Sequence, residues 1–415
     1  MTALVVRNAA GVIAWPDGGA LRADRHADAE VLEGVAVTCE RGEITSVGPS
    51  EAAEVSVDAS GCTVVPGFVD AHTHLPFCGW RADEDAARLS GLGYEALHRA
   101  EGGIYRSARL LAEASDDEVL AFCEPLVASM LRHGTTSFEM KSGYGLSVEA
   151  EVRQLRLARS LSERAAQQVA VTCLAAHAVP RGRSAGEWVG EAADALLPRV
   201  ASEDLAGACD VYVESIAFAL EHAARLAETA APLGLKMRVH ADQLEDSQAG
   251  SFAARGGFAT ADHLNHTSLE AVSDLAESDT AAVLLPGATF TLRQARHPPA
   301  RALIERGAIV ALGSDFNPGT SPLHSMPLVM ALACRLYGLR PLEALAGATV
   351  NAAFALGLED LTGRIAPGYR ADLVVLDAPS FEHLVYRADR DHVAAVVCGG
   401  ELAYVAPGFE HRIED

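Results

Sequence analysis

The reading of this chain turns on Pro66-Gly67-Phe68-Val69-Asp70-Ala71-His72-Thr73-His74. The stretch closes an apolar run, Thr63–Val69, that predicts a strand buried on both faces, the habit of strands in parallel sheets. Its two histidines are two residues apart, so extended backbone points both imidazoles to the same side. Outward from it the signature repeats. Apolar strands are predicted at Thr135–Met140, Val169–Leu174, Ala208–Val213, Leu235–Val239, Phe258–Ala261, Thr280–Leu285 and Ala308–Leu312. Helical segments lie between them. Ser115 followed by Asp116, Asp117 and Glu118 marks a helix start, and Gly134 its stop. Thr267-Ser268-Leu269-Glu270 reads as a capping box, and Pro298-Pro299 opens a helix running to Gly307. Eight strands alternating with helices over about 300 residues predict a (β/α)8 TIM barrel, ahead of a doubly wound sheet.

The two ends differ from the middle. Short strands bounded by Gly, Pro and charge are predicted at Ala3–Val6, Gly11–Trp15, Gly34–Cys39 and Glu43–Val47, and again at Ala371–Leu376, Val393–Cys398 and Glu401–Val405. The expected fold class is therefore α/β: a barrel over residues 63–363 and a small β-sandwich domain built jointly from residues 1–62 and 364–415.

Of 415 residues, 33 are Lys or Arg and 56 are Asp or Glu, a formal charge of −23, and 49% are hydrophobic. That supplies a large core and speaks against a nucleic-acid partner, because phosphate binding needs a cationic face. An anionic membrane surface is disfavoured for the same reason. The longest apolar runs, around Ala281–Pro286 and Leu328–Cys334, are about seven residues, whereas a membrane span needs about 20. Eight scattered cysteines without C-x-x-C spacing read as reduced thiols. The first residues lack a secretory pattern, so a soluble cytoplasmic protein is expected.

Catalytic groups of such a barrel gather at the C-terminal ends of its strands. There the sequence places His72 and His74 (first strand), His177 (third), His240 (fifth), His263 (sixth) and Asp315 (eighth). Three neutral imidazoles, His72, His74 and His240, with an oxygen of Asp315, make an N3O set suited to zinc or iron. An open position on such an ion lowers the pKa of a water toward ~7. Asp315 is placed to take its proton and hand it to a leaving nitrogen. His263 either polarises the attacked carbonyl or ligates a second metal; the spacing leaves both open. Lys141 reads equally as an ion-pair partner of Glu139 and as a substrate contact. His98, His133, His222, His297, His383, His392 and His411 read as surface or hydrogen-bonded core histidines.

From Pro66-Gly67-Phe68-Val69-Asp70 to Gly368-Tyr369-Arg370-Ala371-Asp372-Leu373-Val374 the chain resembles the amidohydrolase superfamily and, within it, the imidazolonepropionase family. P-G-F-x-D-x-H-x-H and G-x-x-A-D-L-V carry the broader likeness. Lys141-Ser142-Gly143-Tyr144-Gly145-Leu146, Ala176-His177-Ala178-Val179-Pro180, Ala261-Asp262-His263-Leu264, Leu284-Leu285-Pro286-Gly287-Ala288 and Asp315-Phe316-Asn317-Pro318-Gly319-Thr320 carry the narrower one. The resemblance implies one zinc or iron ion (Fe2+ or Fe3+) on His72, His74, His240 and Asp315. It implies hydrolytic opening of the ring of 4-imidazolone-5-propanoate, a small anionic heterocycle, to N-formimidoyl-L-glutamate in histidine degradation. Catalytic roles follow for Asp315, His263 and Gln243, and substrate contacts for Arg81, Tyr144, His177, Gln243, Asn317, Gly319 and Thr320. Arg81 would pair bidentately with the propanoate carboxylate, with donors of the 317–320 loop at the same end. Relatives often form homodimers.

The chain departs from the family pattern at Gln243, where many members carry Glu. An amide takes no proton, so Gln243 can only hydrogen-bond the ring and the base is Asp315. Trp80 and the segments Glu101–Ile104 and Arg106–Ala112 depart as well. Two other readings stand beside this one. An aminohydrolase (deaminase) or cyclic-amide hydrolase acting on a related heterocycle shares the scaffold; a deaminase would release ammonia and expects an acid where Gln243 stands. A barrel without activity is the other, and the intact ligand set argues against it.

Overall fold

The computed structural model describes residues 3–91 and 102–414; His98 and Glu101 lie outside the described residues. Eight parallel strands, Phe68–Asp70, Thr135–Lys141, Gln168–Ala176, Ala208–Val213, Lys236–Ala241, Thr260–His263, Ala281–Leu284 and Val310–Leu312, pair in chain order. The first and eighth meet through the Ala71 N–H on the Leu312 carbonyl (3.3 Å), the Asp315 N–H on the His72 carbonyl (2.9 Å) and a parallel bridge between Thr73 and Phe316. The barrel is thus nearly closed, with helices between its strands. Helix Asp116–Arg132 begins where predicted: Ser115 accepts the Glu118 N–H, and the Glu118 carboxylate accepts the Ser115 N–H at 2.8 Å. The other predicted box starts one residue later, because Ser268 accepts the Ala271 N–H and opens Leu269–Ala276. The Thr267 hydroxyl instead donates to Asp242.

The run expected as one first strand is two. Thr63–Pro66 pairs antiparallel with Leu373–Leu376 and parallel with Gly11 and Val12. Only Phe68–Asp70 enters the barrel, beside the strand that starts at Thr135. Gly67 makes the step possible: a Cβ there would lie 2.1 Å from Thr136 Oγ1, so any side chain would force the neighbouring strand away.

The chain ends build two smaller sheets. One runs in the order Ile413–Glu414, Val55–Asp58, Leu4–Arg7, Ala36–Glu40, Glu43–Gly48; the other runs Glu401–Val405, Val393–Cys398, Leu373–Leu376, Thr63–Pro66, Gly11–Ala14, Glu30–Leu32. Leu4, Val6, Val37 and Ile44 of the first share an apolar cluster with Val64, Leu373, Val375 and Val397 of the second. The alternate residues Val65, Val374 and Val396 pack instead with the main core around the barrel. The six-stranded sheet is therefore covered on both faces. This is why Val393–Cys398 is apolar throughout although its neighbours run antiparallel. Glu30–Leu32 and Val55–Asp58 went unpredicted because they are short and partly exposed, with little apolar signal. Among the described residues no helix is long and apolar enough to cross a membrane.

Candidate active site

Barrel closure brings His72, His74, His240 and Asp315 together. His72 and His74 follow the first strand, His240 lies on the fifth, and Asp315 follows the eighth with left-handed backbone, φ 55°. Asp70 holds that corner in place: its carboxylate accepts the Ser314 N–H at 2.8 Å and the Ser314 hydroxyl at 2.5 Å. The aspartate of the opening motif thus staples the first strand to the eighth, a role its spacing in the sequence does not reveal. Burial pushes its carboxyl up to about 7.

His74 Nε2 lies 3.2 Å from His72 Nε2, 3.4 Å from His240 Nε2 and 3.1 Å from Asp315 Oδ1; His72 Nε2 is 3.5 Å from the same oxygen. Burial holds His72 and His74 well below the ordinary histidine range, so their rings are neutral. These four separations are close to the edges, about 3.4 Å, of a tetrahedron with bonds near 2.1 Å, and His72, His74 and His240 form one candidate ligand group. The residues present therefore fit one borderline cation. His263 forms a second candidate ligand group with His72 and Asp315. Burial pushes its imidazole down to about 3, and its buried Nδ1 has no hydrogen-bond partner among the described residues.

Behind these rings lies a layer of charge. His72 Nδ1 is 2.6 Å from Asp262 Oδ2, and His240 Nδ1 is 3.1 Å from Asp210 Oδ2. A carboxylate on Nδ1 selects the tautomer whose Nε2 lone pair faces the cluster. Burial lowers His240, but the Asp210 carboxylate outweighs it and raises the ring above its ordinary value. Lys141 Nζ sits 2.7 Å from Asp210 and 2.8 Å from Glu139. Of the two readings of Lys141, the ion pair is the one observed.

Arg81, Tyr144, His177, Gln243, Asn317 and Thr320 line one cavity with His74, His240, His263 and Asp315. Ile104 and Tyr212 line it too and were not singled out from sequence; the available signal for Tyr212 was its position two residues beyond Asp210 on the same strand face. The His177 ring stacks on His74 with centroids 5.0 Å apart and 17° between planes. Arg81 is buried, with Nη1 3.5 Å from Glu84 Oε2. Gly319 lies against it: a Cβ at 319 would be 1.8 Å from Arg81 Nη2. Expected as donors to a ligand, the N–H groups of Gly319 and Thr320 are engaged within their own loop, donating to Asn317 Oδ1 at 2.9 and 2.7 Å. The Gln243 backbone is held from both sides, its N–H by Glu214 at 2.6 Å and its carbonyl by the Gln294 amide at 3.1 Å. A larger groove of about 680 Å³ lies elsewhere, near Asp24, Arg301 and Glu343. There Arg301 and Glu343 pair at 2.6 Å, and none of the candidate ligand groups among the described residues lies there.

The amidohydrolase family model matches residues 214–403. The chain is 43% identical over 413 residues to an imidazolonepropionase of Rubrobacter xylanophilus, covering 97% of this chain and 98% of that one. It is 42% identical to an imidazolonepropionase of Symbiobacterium thermophilum, covering 95% of each. Among solved structures, an adenosine deaminase from Xanthomonas campestris with bound zinc superposes with a TM-score of 0.72 at 21% identity, over 97% of this chain and 93% of that one. The E. coli guanine deaminase does so with a TM-score of 0.70 at 15% identity, over 98% and 100%. The structural likenesses establish the fold, and the close relatives establish the family: the chain belongs to the imidazolonepropionase family of amidohydrolases.

Proposed function

We propose that the protein hydrolyses the cyclic amide bond of 4-imidazolone-5-propanoate, giving N-formimidoyl-L-glutamate. The observation that carries this reading is one cavity lined by His74, His240, Asp315 and a buried arginine, with His72 converging on His74 and His240. His72, His74, His240 and Asp315 would hold one zinc or iron ion. When bound, such an ion supplies Lewis acidity that acidifies water and polarises an amide carbonyl.

The chain's own residues do the rest. The Arg81 guanidinium fits the propanoate carboxylate in a charge-assisted, two-point contact, and Gly319 leaves it the room. His177, Tyr144 and the Gln243 side chain flank the ring plane. Asp315 Oδ takes one proton from the attacking water as its oxygen bonds to the ring carbonyl carbon. The amide C–N bond then breaks, and the same proton passes to the departing nitrogen. Burial raises the Asp315 carboxyl above its usual range, the direction a proton carrier requires. His263, held neutral, presents an N–H to the carbonyl oxygen as negative charge grows there. Asp315 is the cavity's carboxylate among the described residues, so acid and base work fall to one group.

Eight unpaired cysteines, six of them buried, agree with a reducing, cytoplasmic setting. Metal-stripped protein should lose ring opening and regain it on adding back one equivalent of zinc or ferrous iron. Full turnover by metal-free protein would overturn the reading.

A further inference from the structure

Lys141 is fully buried at the end of the second barrel strand and takes no part in lining the cavity. Its Nζ lies 2.7 Å from Asp210 Oδ2, 2.8 Å from Glu139 Oε2 and 3.9 Å from Asp262 Oδ2. Asp210 belongs to the fourth strand and Asp262 to the sixth, so one ammonium spans three strands of the barrel. Those two aspartates are the groups that face the Nδ1 atoms of His240 and His72. Asp210 is fixed further by the Val211 N–H on its Oδ1 at 2.7 Å. Asp262 has less support: its Oδ1 is buried without a hydrogen-bond partner among the described residues, and its Oδ2, 2.6 Å from His72 Nδ1, meets the lysine only as a charge at 3.9 Å.

We propose that Lys141 is a positioning residue for the metal site, its ammonium bonding Asp210 and attracting Asp262 so that the two orient His240 and His72 together. The inference rests on the reading of those two histidines as ligands. The physical reason is geometric. A carboxylate that orients a ligand imidazole is itself free to turn unless its second oxygen or its outer lone pairs are held. A buried ammonium with three donors can bond Asp210 and Glu139 and still attract Asp262 through its charge, where a neutral side chain of the same length does neither. Glu139 then has a separate task. Its Oε1 lies 3.2 Å from Arg238 and accepts the Thr172 hydroxyl at 2.5 Å, which anchors the lysine's near side.

The test uses Lys141→Met and the double variant Lys141→Met/Glu139→Gln, which also removes one of the buried carboxylates that the first would leave without the ammonium. Each is prepared metal-free and compared with the unaltered chain by circular dichroism, by zinc affinity in chelator competition, and by the absorption spectrum of the cobalt(II) form. The expected result is native-like secondary structure, zinc affinity about 10- to 100-fold weaker, and a changed cobalt spectrum that reports altered ligand geometry. If Lys141→Met does not fold, the double variant decides. A folded variant with unaltered zinc affinity and cobalt spectrum would overturn the proposal. His72→Ala, measured in parallel, separates the two readings: unchanged metal binding there would sink the ligand assignment itself, whatever Lys141 does.

Discussion

Gly319 and Arg81 show how tightly single residues are matched at this site. The guanidinium lies where a Cβ on residue 319 would be, so Gly319→Ala should displace it and weaken binding of a carboxylate-bearing substrate. Arg81→Met removes the charge outright. A charge-assisted hydrogen-bonded pair is worth about 2–3 kcal/mol, so kcat/KM should fall roughly 30- to 150-fold, most of it through KM. Unchanged kinetics toward the propanoate substrate would show that Arg81 does not hold it. His72→Ala should instead lose the ion and nearly all turnover, since it removes one of the three histidines that converge as a candidate ligand group. His72 was legible in the sequence because histidine and aspartate at strand ends announce themselves, whereas Arg81 and Gly319 entered only through the family resemblance. Asp70 was not: in sequence it is one more acid of a metal motif, and only barrel closure shows it bonded to Ser314. Nor was the engagement of the Gly319 and Thr320 amides with Asn317, which depends on the loop's turn.

Elements position those residues, and their legibility followed burial. The barrel strands are buried on both faces and read directly as apolar runs. The run Thr63–Val69 misled because two different sheets bury its two halves, and apolarity alone carries no record of the step at Gly67. The terminal strand Val393–Cys398 carries a parallel-sheet pattern in an antiparallel sheet for the related reason that the barrel covers its outer face. The loop after the fifth strand yields a prediction of its own. Glu214, at the end of the fourth strand, accepts the Gln243 and Leu244 N–H groups at 2.6 and 2.9 Å. Burial nevertheless pushes its carboxyl from 4.5 up to about 7. Between those values the folded chain keeps a proton that the unfolded chain has released. Its contribution to stability is therefore complete below about pH 4.5 and is lost as pH rises through about 7. Glu214→Gln should remove that slope, so its Tm relative to the unaltered protein should be higher at pH 8 than at pH 5. Parallel Tm profiles would contradict the assignment.

Over the whole molecule, a charge of −23 speaks against a cationic footprint for nucleic acid yet says nothing favourable about the proposed substrate, which is itself an anion. Long-range electrostatics should mildly repel it, leaving recognition to Arg81 and the groups inside the barrel mouth. Raising the salt concentration screens that repulsion, so kcat/KM should rise modestly, by less than about threefold, rather than fall as it does for steered substrates. A steep fall with salt would show that the mouth carries a local field opposite to the net charge. The likeness in fold to deaminases reaches over nearly the entire chain, so architecture alone does not choose between opening a ring and releasing ammonia. The most direct measurement is turnover of freshly prepared 4-imidazolone-5-propanoate in 18O-water by protein of measured metal content. The account predicts one equivalent of metal, N-formimidoyl-L-glutamate carrying one 18O in the newly formed carboxylate, and no ammonia. Metal-replete protein that leaves the ring intact, or that releases ammonia in step with substrate loss, would contradict it.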